Sequence, residues 1–152
     1  MGRKTWDSIP ERFRPLKDRQ NIVISRSLEP STPSSSDTHI VSSMNDAIKL
    51  LKQQSAGNDG KLGRTFVIGG GEIYRSALEL TATKRILLTR ILDHFEYDTV
   101  FPVELDDNGE GERWRRAEGE KLNDWVGEKV AGEVYEEAGT KYQFEMWEAV
   151  DG

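Results

Sequence analysis

Three short stretches combine residue types suited to holding phosphate. Gly69-Gly70-Gly71-Glu72 follows the apolar run Thr65-Phe66-Val67-Ile68 directly and opens a helical pattern. Successive glycines let a backbone approach a phosphate closely, and a helix start behind them offers unpaired N–H groups. Ser25-Arg26 closes a second apolar run, Asn21-Ile22-Val23-Ile24, with a hydroxyl and a cation. Arg3-Lys4-Thr5 places two more cations at a helix start, behind the flexible Gly2. The spacing is neither G-x-G-x-x-G nor a P-loop, so the generic dinucleotide motif is absent. Taken singly, a triple glycine serves as a tight turn and Arg26 as a surface charge. Taken together, the three stretches make several anchors for one polyanionic cofactor.

The charge is unevenly spread. Residues 1–26 carry seven Lys/Arg against three acidic groups, whereas residues 104–139 carry twelve acidic groups against five basic ones. The overall −6 therefore describes the tract 104–139, read here as an acidic loop insertion, rather than the body of the chain. The basic N-terminal stretch suits an anionic ligand or a solvated face. It is short and not interleaved with aromatics, so nucleic acid is not expected. With no cysteine and only His39 and His94, disulfides, cysteine nucleophiles and multi-histidine metal centres are excluded. No apolar run approaches a membrane span and no signal peptide is legible, so a soluble, intracellular chain is expected. The 152 residues leave room for one domain.

These stretches must be positioned by elements of regular structure. A helix is expected over 3–9, closed by Pro10, and buried strands over 21–26 and 65–68. An edge strand is expected at His39-Ile40-Val41, then a helix from Ser43 with Ser43 and Asp46 in capping-box positions. Residues 30–37 and 55–63 read as loops, and Glu72–Leu80 as a helix. Residues 85–91 read as a strand too apolar to have a wet face. Lys141–Trp147 alternates as a half-exposed strand, with 113–118 its candidate partner. The order implies an α/β fold, a mostly parallel sheet flanked by helices with antiparallel C-terminal strands. In such sheets ligands bind beyond the carboxyl ends of the strands, where Ser25-Arg26 and the glycines fall.

Longer blocks carry a resemblance. Met1-Gly2-Arg3-Lys4-Thr5-Trp6-Asp7-Ser8-Ile9-Pro10, Arg14-Pro15-Leu16 and Arg19-Gln20-Asn21-Ile22-Val23-Ile24-Ser25-Arg26 resemble eukaryotic dihydrofolate reductases. So do Phe66-Val67-Ile68-Gly69-Gly70-Gly71-Glu72-Ile73-Tyr74, Leu88-Thr89-Arg90-Ile91 and Asp98-Thr99-Val100-Phe101-Pro102. The resemblance runs from Met1 to near Trp147, as one domain over 1–152 with the 104–139 insertion inside it.

It implies NADPH-dependent reduction of 7,8-dihydrofolate to 5,6,7,8-tetrahydrofolate, by a cytoplasmic monomer (a mitochondrial one is also compatible) without a metal. Gly2, Arg3, Lys4 and Thr5 would hold the cofactor pyrophosphate. Ser25 and Arg26 would meet the 2′-phosphate, although Ser42-Ser43 stands where relatives often have a further basic residue. Gly69-Gly70 matches a cis peptide, and Gly70, Gly71, Glu72, Ile73 and Tyr74 would line the nicotinamide side. For substrate, Ile9, Phe13 and Leu16 would grip the pterin and benzoyl rings, with Arg14 also on the substrate side. Ile68 would offer its carbonyl to the pterin edge, and Arg19 would fork onto the glutamate α-carboxylate. Thr89 would hydrogen-bond a catalytic carboxylate. By residue type alone, Ile9, Leu16 and Ile68 serve equally as core, and Thr89 as a residue facing its neighbour strand.

Relatives carry that carboxylate on a helix that precedes the part this chain matches, and none of Asp7, Glu11 and Asp18 aligns with it. The resemblance therefore also implies that these 152 residues alone are inactive or nearly so, and poorly stable. The alternative reading is a non-catalytic NADPH- or folate-binding fragment, or the partner of a separate N-terminal piece. A related pterin or flavin-pathway reductase is disfavoured by Arg19 and Thr89.

Overall fold

A computed structural model describes residues 1–27, 38–57, 63–106 and 113–150. They form two compact units, Met1–Glu79 and Leu80–Gly152. The first contains α1 (Arg3–Ser8), a 3-10 turn (Glu11–Phe13), β1 (Asn21–Ile24), β2 (Thr38–Val41), α2 (Met44–Gly57) and α3 (Gly71–Leu78). The second contains β3 (Arg85–Ile91), β4 (Trp114–Arg116), α4 (Gly119–Val126), β5 (Tyr135–Glu137) and β6 (Thr140–Ala149).

In the first unit β1 and β2 pair in parallel, Asn21 opposite Thr38 through Ile24 opposite Val41. Met1 and Gly2 extend the ladder on the other side of β1. The Met1 amino group donates to the Ile22 carbonyl, the Ile24 N–H to the Met1 carbonyl, and Gly2 bridges Ile24 in parallel. α1 stops at Ser8 because Ile9, which precedes Pro10, is forced into extended backbone. α2 begins as a capping box requires, the Asp46 N–H donating to the Ser43 hydroxyl 3.1 Å away. It packs against β1, β2 and α3. The core joins Val23 of β1, Ala47 of α2, and Ala77 and Leu78 of α3.

The first unit corrects two expectations. Residues 65–68 belong to no strand, and Phe66, Val67 and Ile68 are exposed. Their apolarity suits a strand, but a strand needs a ladder, and this segment meets the sheet at Gly69. Residues 55–57, read as loop, complete α2. The expected loops at 30–37 and 58–62 lie outside the described residues, which contain no helix long and apolar enough to cross a membrane.

The second unit is antiparallel throughout. β6 is its spine, pairing with β3, β4 and β5. The 113–118 pairing is thus as read from sequence. β5 and β6 are joined by Ala138-Gly139, both at positive φ, as a two-residue hairpin requires. Tyr135, Tyr142 and Phe144 stack across that hairpin with ring centroids 5.1–5.6 Å apart.

Here β3 does have a wet face. Arg85, Leu87, Thr89 and Ile91 are exposed while Ile86 is buried, so the strand alternates although its residues are mostly apolar. β6 departs in the opposite sense, for Glu145, Met146 and Trp147 are all buried, which closes both faces at once. The tract 104–139, read as an enlarged loop with a strand, supplies β4, α4 and β5 among its described residues. Trp114 and Leu122 anchor it in the core. α4 ends on Gly127 at φ 85, and the Asn123 Oδ1 accepts from the Val130 and Ala131 N–H groups, turning the chain back.

Glu145 is the polar centre of this unit. Its side chain is fully buried, 2.7 Å from the Arg90 Nε and 2.9 Å from an Arg116 Nη. It also accepts from Gln143 Nε2 and Trp147 Nε1, each at 3.1 Å. Burial pushes its carboxyl up, but the hydrogen bonds from Arg90 and Trp147 and the two guanidinium charges outweigh it and hold the carboxyl below the ordinary range. A folded value below the unfolded one stabilises the fold above the ordinary glutamate range and ceases to do so as pH falls through the lowered value. Unfolding by urea across pH should therefore show an acid limb that Glu145→Gln flattens. Glu145→Ala should lose about 3 kcal/mol at neutral pH, because it strands two partly exposed guanidiniums. Superimposable profiles for wild type and Glu145→Gln would refute this role.

Candidate functional site

The parallel ladder determines what meets at its carboxyl end. Gly2 lies beside Ile24, and Ile24 beside Val41, all running the same way. The residues that follow, Arg3-Lys4, Ser25-Arg26 and Ser42-Ser43, therefore leave the sheet at one end. Gly69 joins them, its carbonyl accepting from the Gly2 N–H at 2.8 Å. This is the end of an α/β sheet where ligands bind.

Close approach explains Gly2, whereas a methyl on Gly69 or Gly70 would make only ordinary contacts. A methyl group on Gly2 would stand 3.1 Å from the Ile73 Cγ1 and 3.7 Å from the Gly69 carbonyl oxygen. On Gly69 it would lie 3.5 Å from the Tyr74 ring, and on Gly69 or Gly70 3.6 Å from the Thr5 Oγ1. Gly69 also has φ +97, in the left-handed region. The Gly69–Gly70 peptide is cis, as the resemblance implied. Gly2, Thr5, Gly70, Ile73 and Tyr74 thus form one cluster, built from α1, α3 and the glycines between strand and helix.

The helix starts differ in what covers them. Gly2 caps α1 and Gly70 caps α3, neither with a side chain to bond the first-turn N–H groups. The Gly70 carbonyl accepts from the Ile73 and Tyr74 N–H groups at 2.9 Å, which fixes the first turn of α3 behind Gly71. α2 instead carries its own anion: Ser42 and Ser43 hydroxyls each donate to Asp46 Oδ2 at 2.6 Å. Those two bonds, with the nearby Lys49 charge, hold the Asp46 carboxyl below its usual range. Arg3, Lys4 and Arg26 are exposed cations at this end, and Glu72 is exposed on the first turn of α3. Ser25 is buried, its Oγ accepting from the Ser27 N–H at 3.3 Å.

The residues expected to face substrate are less uniform. Ile9 and Leu16 are half-buried; Phe13 and Ile68 are exposed, the Arg12 guanidinium lying 4.7 Å over the Phe13 ring. The Arg14 guanidinium lies 5.4 Å over Trp6 and within 4 Å of the Asp7 and Glu11 carboxylates. Arg19 is exposed. Thr89 belongs to the second unit, on the wet face of β3 opposite Phe144. Leu87, Thr89 and Phe144 there line a cavity of about 320 Å³ with Leu122, Val126 and Val130 of the same unit. Among the described residues no group of three or more His, Asp or Glu could hold a metal.

Sequence reasoning overlooked Asn21. It reads as the polar first residue of an apolar strand, yet it is buried and its amide holds three backbone groups of the 16–19 loop. A polar residue opening a buried strand was the available signal.

Comparison with known proteins agrees with this arrangement. The family model for dihydrofolate reductase matches residues 1–135. The dihydrofolate reductase of Rattus norvegicus is 40% identical over 151 residues, covering 99% of this chain and 72% of the relative. That of Pneumocystis carinii is 37% identical over 148 residues, covering 97% of this chain and 71% of the relative. Among solved structures, Schistosoma mansoni dihydrofolate reductase superposes with a TM-score of 0.73 at 34% identity, over 97% of this chain and 72% of that one. A glycine cluster and a basic sheet end in family order, together with these matches over nearly all its residues, establish that the chain belongs to the dihydrofolate reductase family.

Proposed function

We propose that the carboxyl end of the first unit's sheet binds NADPH and that the substrate is 7,8-dihydrofolate, reduced to 5,6,7,8-tetrahydrofolate. The observation that carries this is the cluster of Gly2, Thr5, Gly69, Gly70 and Ile73, where bare backbone and two helix starts without side-chain caps stand beside exposed cations. Such a surface fits the phosphates of a dinucleotide. Arg3, Lys4 and Thr5 would hold the pyrophosphate. Arg26, with Ser25 behind it, would pair with the 2′-phosphate. Gly70 through Tyr74 would place the nicotinamide against the glycine backbone. Ile9, Phe13 and Leu16 would grip the pterin and benzoyl rings, and the Ile68 carbonyl would meet the pterin edge. Arg19 would fork onto the substrate α-carboxylate. When bound, the reduced nicotinamide supplies a hydride.

The proton has no evident donor among these residues. Asp7 and Glu11 are exposed beside Arg14, and Asp18 is exposed in a turn at φ 58. Thr89, the residue that would orient a carboxylate, is exposed on β3 in the second unit. These placements favour a second reading for the 152 residues by themselves, in which they bind cofactor and folate with little turnover.

Two outcomes are expected. Arg26→Ala should weaken NADPH binding about tenfold, the lower range for a charge-assisted hydrogen bond at an exposed site, and leave NADH binding nearly unchanged. Equal losses for both cofactors, read by titrating tryptophan fluorescence, would remove the 2′-phosphate assignment. The 152-residue chain, mixed with NADPH and dihydrofolate, should bind both without consuming the reduced nicotinamide. Turnover near an ordinary enzyme rate of about 10 per second would sink the second reading.

A further inference from the structure

One buried amide ties the substrate-side loop to the sheet. Asn21, 1% exposed, opens β1 opposite Thr38. Its Oδ1 accepts from the Leu16 N–H at 3.1 Å, and its Nδ2 donates to the Leu16 carbonyl at 2.9 Å and the Arg19 carbonyl at 3.2 Å. Both backbone groups of Leu16 and the carbonyl of Arg19 are thus held by one side chain. Between them the chain turns through Asp18 at φ 58. The Arg19 Nε donates back to the Lys17 carbonyl at 3.0 Å. Among the described residues the Arg19 Nη groups make no hydrogen bond, so the outer edge of the guanidinium stays available.

We propose that Asn21 is a positioning residue for the substrate's carboxylate end: by holding Leu16 and Arg19 from beneath, it sets the Arg19 fork before ligand arrives. This rests on the reading of Arg19 given above. A two-point guanidinium–carboxylate contact is sensitive to angle, and a loop already ordered loses less entropy on binding. The amide suits the task because it offers an acceptor and two donors on one rigid plane. A strand residue supplies the rigidity, since Asn21 lies in the β1–β2 ladder and not in the loop it holds.

The test uses the 152-residue chain and two probes, folic acid and pteroic acid, which differ by the glutamate carrying the α-carboxylate. Affinities are read by tryptophan fluorescence, with NADPH as a control ligand. Asn21→Ala should lose about tenfold in affinity for folate and several-fold less than that for pteroate, which shares the Leu16 contact but lacks the α-carboxylate. Arg19→Ala added to it should lose little more, because the fork is already displaced. NADPH affinity should hold. Exchange of the Leu16 amide hydrogen should accelerate in Asn21→Ala. Should that variant fail to fold, Asn21→Asp keeps the acceptor for Leu16 and removes both donated bonds, so it carries the same comparison of probes. Equal losses for folate and pteroate, or additive losses with Arg19→Ala, would overturn the proposal. A wild-type chain that binds both probes alike would overturn the reading of Arg19 first, and the proposal with it.

Discussion

Two residues of extended backbone, Met1 and Gly2, hold the first unit's site together. On one side they bond to Ile22 and Ile24 of β1, and on the other the Gly2 N–H reaches the Gly69 carbonyl. α1 and the glycine segment take their places at the carboxyl end from this thread. It brings α1 out beside Ser25-Arg26 and sets the glycines of 69–71 against Thr5. The constraint is steric as much as hydrogen-bonded, since a side chain on Gly2 would press on Ile73. Gly2 leaves little room for an added side chain, and at Gly69 the left-handed backbone angle, more than crowding, favours glycine.

The second unit is organised around a charge instead. Glu145 takes hydrogen bonds from Arg90, Gln143 and Trp147 and pairs with Arg116, so each buried oxygen has at least two partners. Such a network stabilises only when complete, and it fixes the register of β3 and β4 on β6 more sharply than apolar contacts would. The aromatic hairpin of Tyr135, Tyr142 and Phe144 then holds the third neighbour.

What was legible in the sequence was local. The Ser43–Asp46 cap, the end of α1 before Pro10 and the junctions at Ser25-Arg26 and Gly69–Gly71 are all set by neighbours within a few residues. What was not legible depended on a distant partner. Residues 65–68 have the composition of a strand but no strand pairing. The apolar composition of β3 hides an alternation that only its pairing with β6 reveals. The acidity of 104–139 conceals Trp114 and Leu122, two buried anchors in a run of surface residues. Asn21 was missed for another reason: the Leu16 and Arg19 backbone groups it holds are close in sequence, but they lie in an irregular loop that no periodicity reports.

The helix starts at the sheet end divide the work. α1 and α3 are left open by glycine caps, while Asp46 already fills the start of α2 with a carboxylate held by two serines. On the proposed reading, a dinucleotide would meet two helix ends without side-chain caps and one that already holds a carboxylate. Amide hydrogen exchange with and without NADPH tests this directly. The account predicts slowed exchange over Gly2–Trp6, Ser25–Arg26 and Gly71–Tyr74, with Asn45 and Asp46 unchanged. Protection absent from the glycine segment, or strongest at the start of α2, would contradict it.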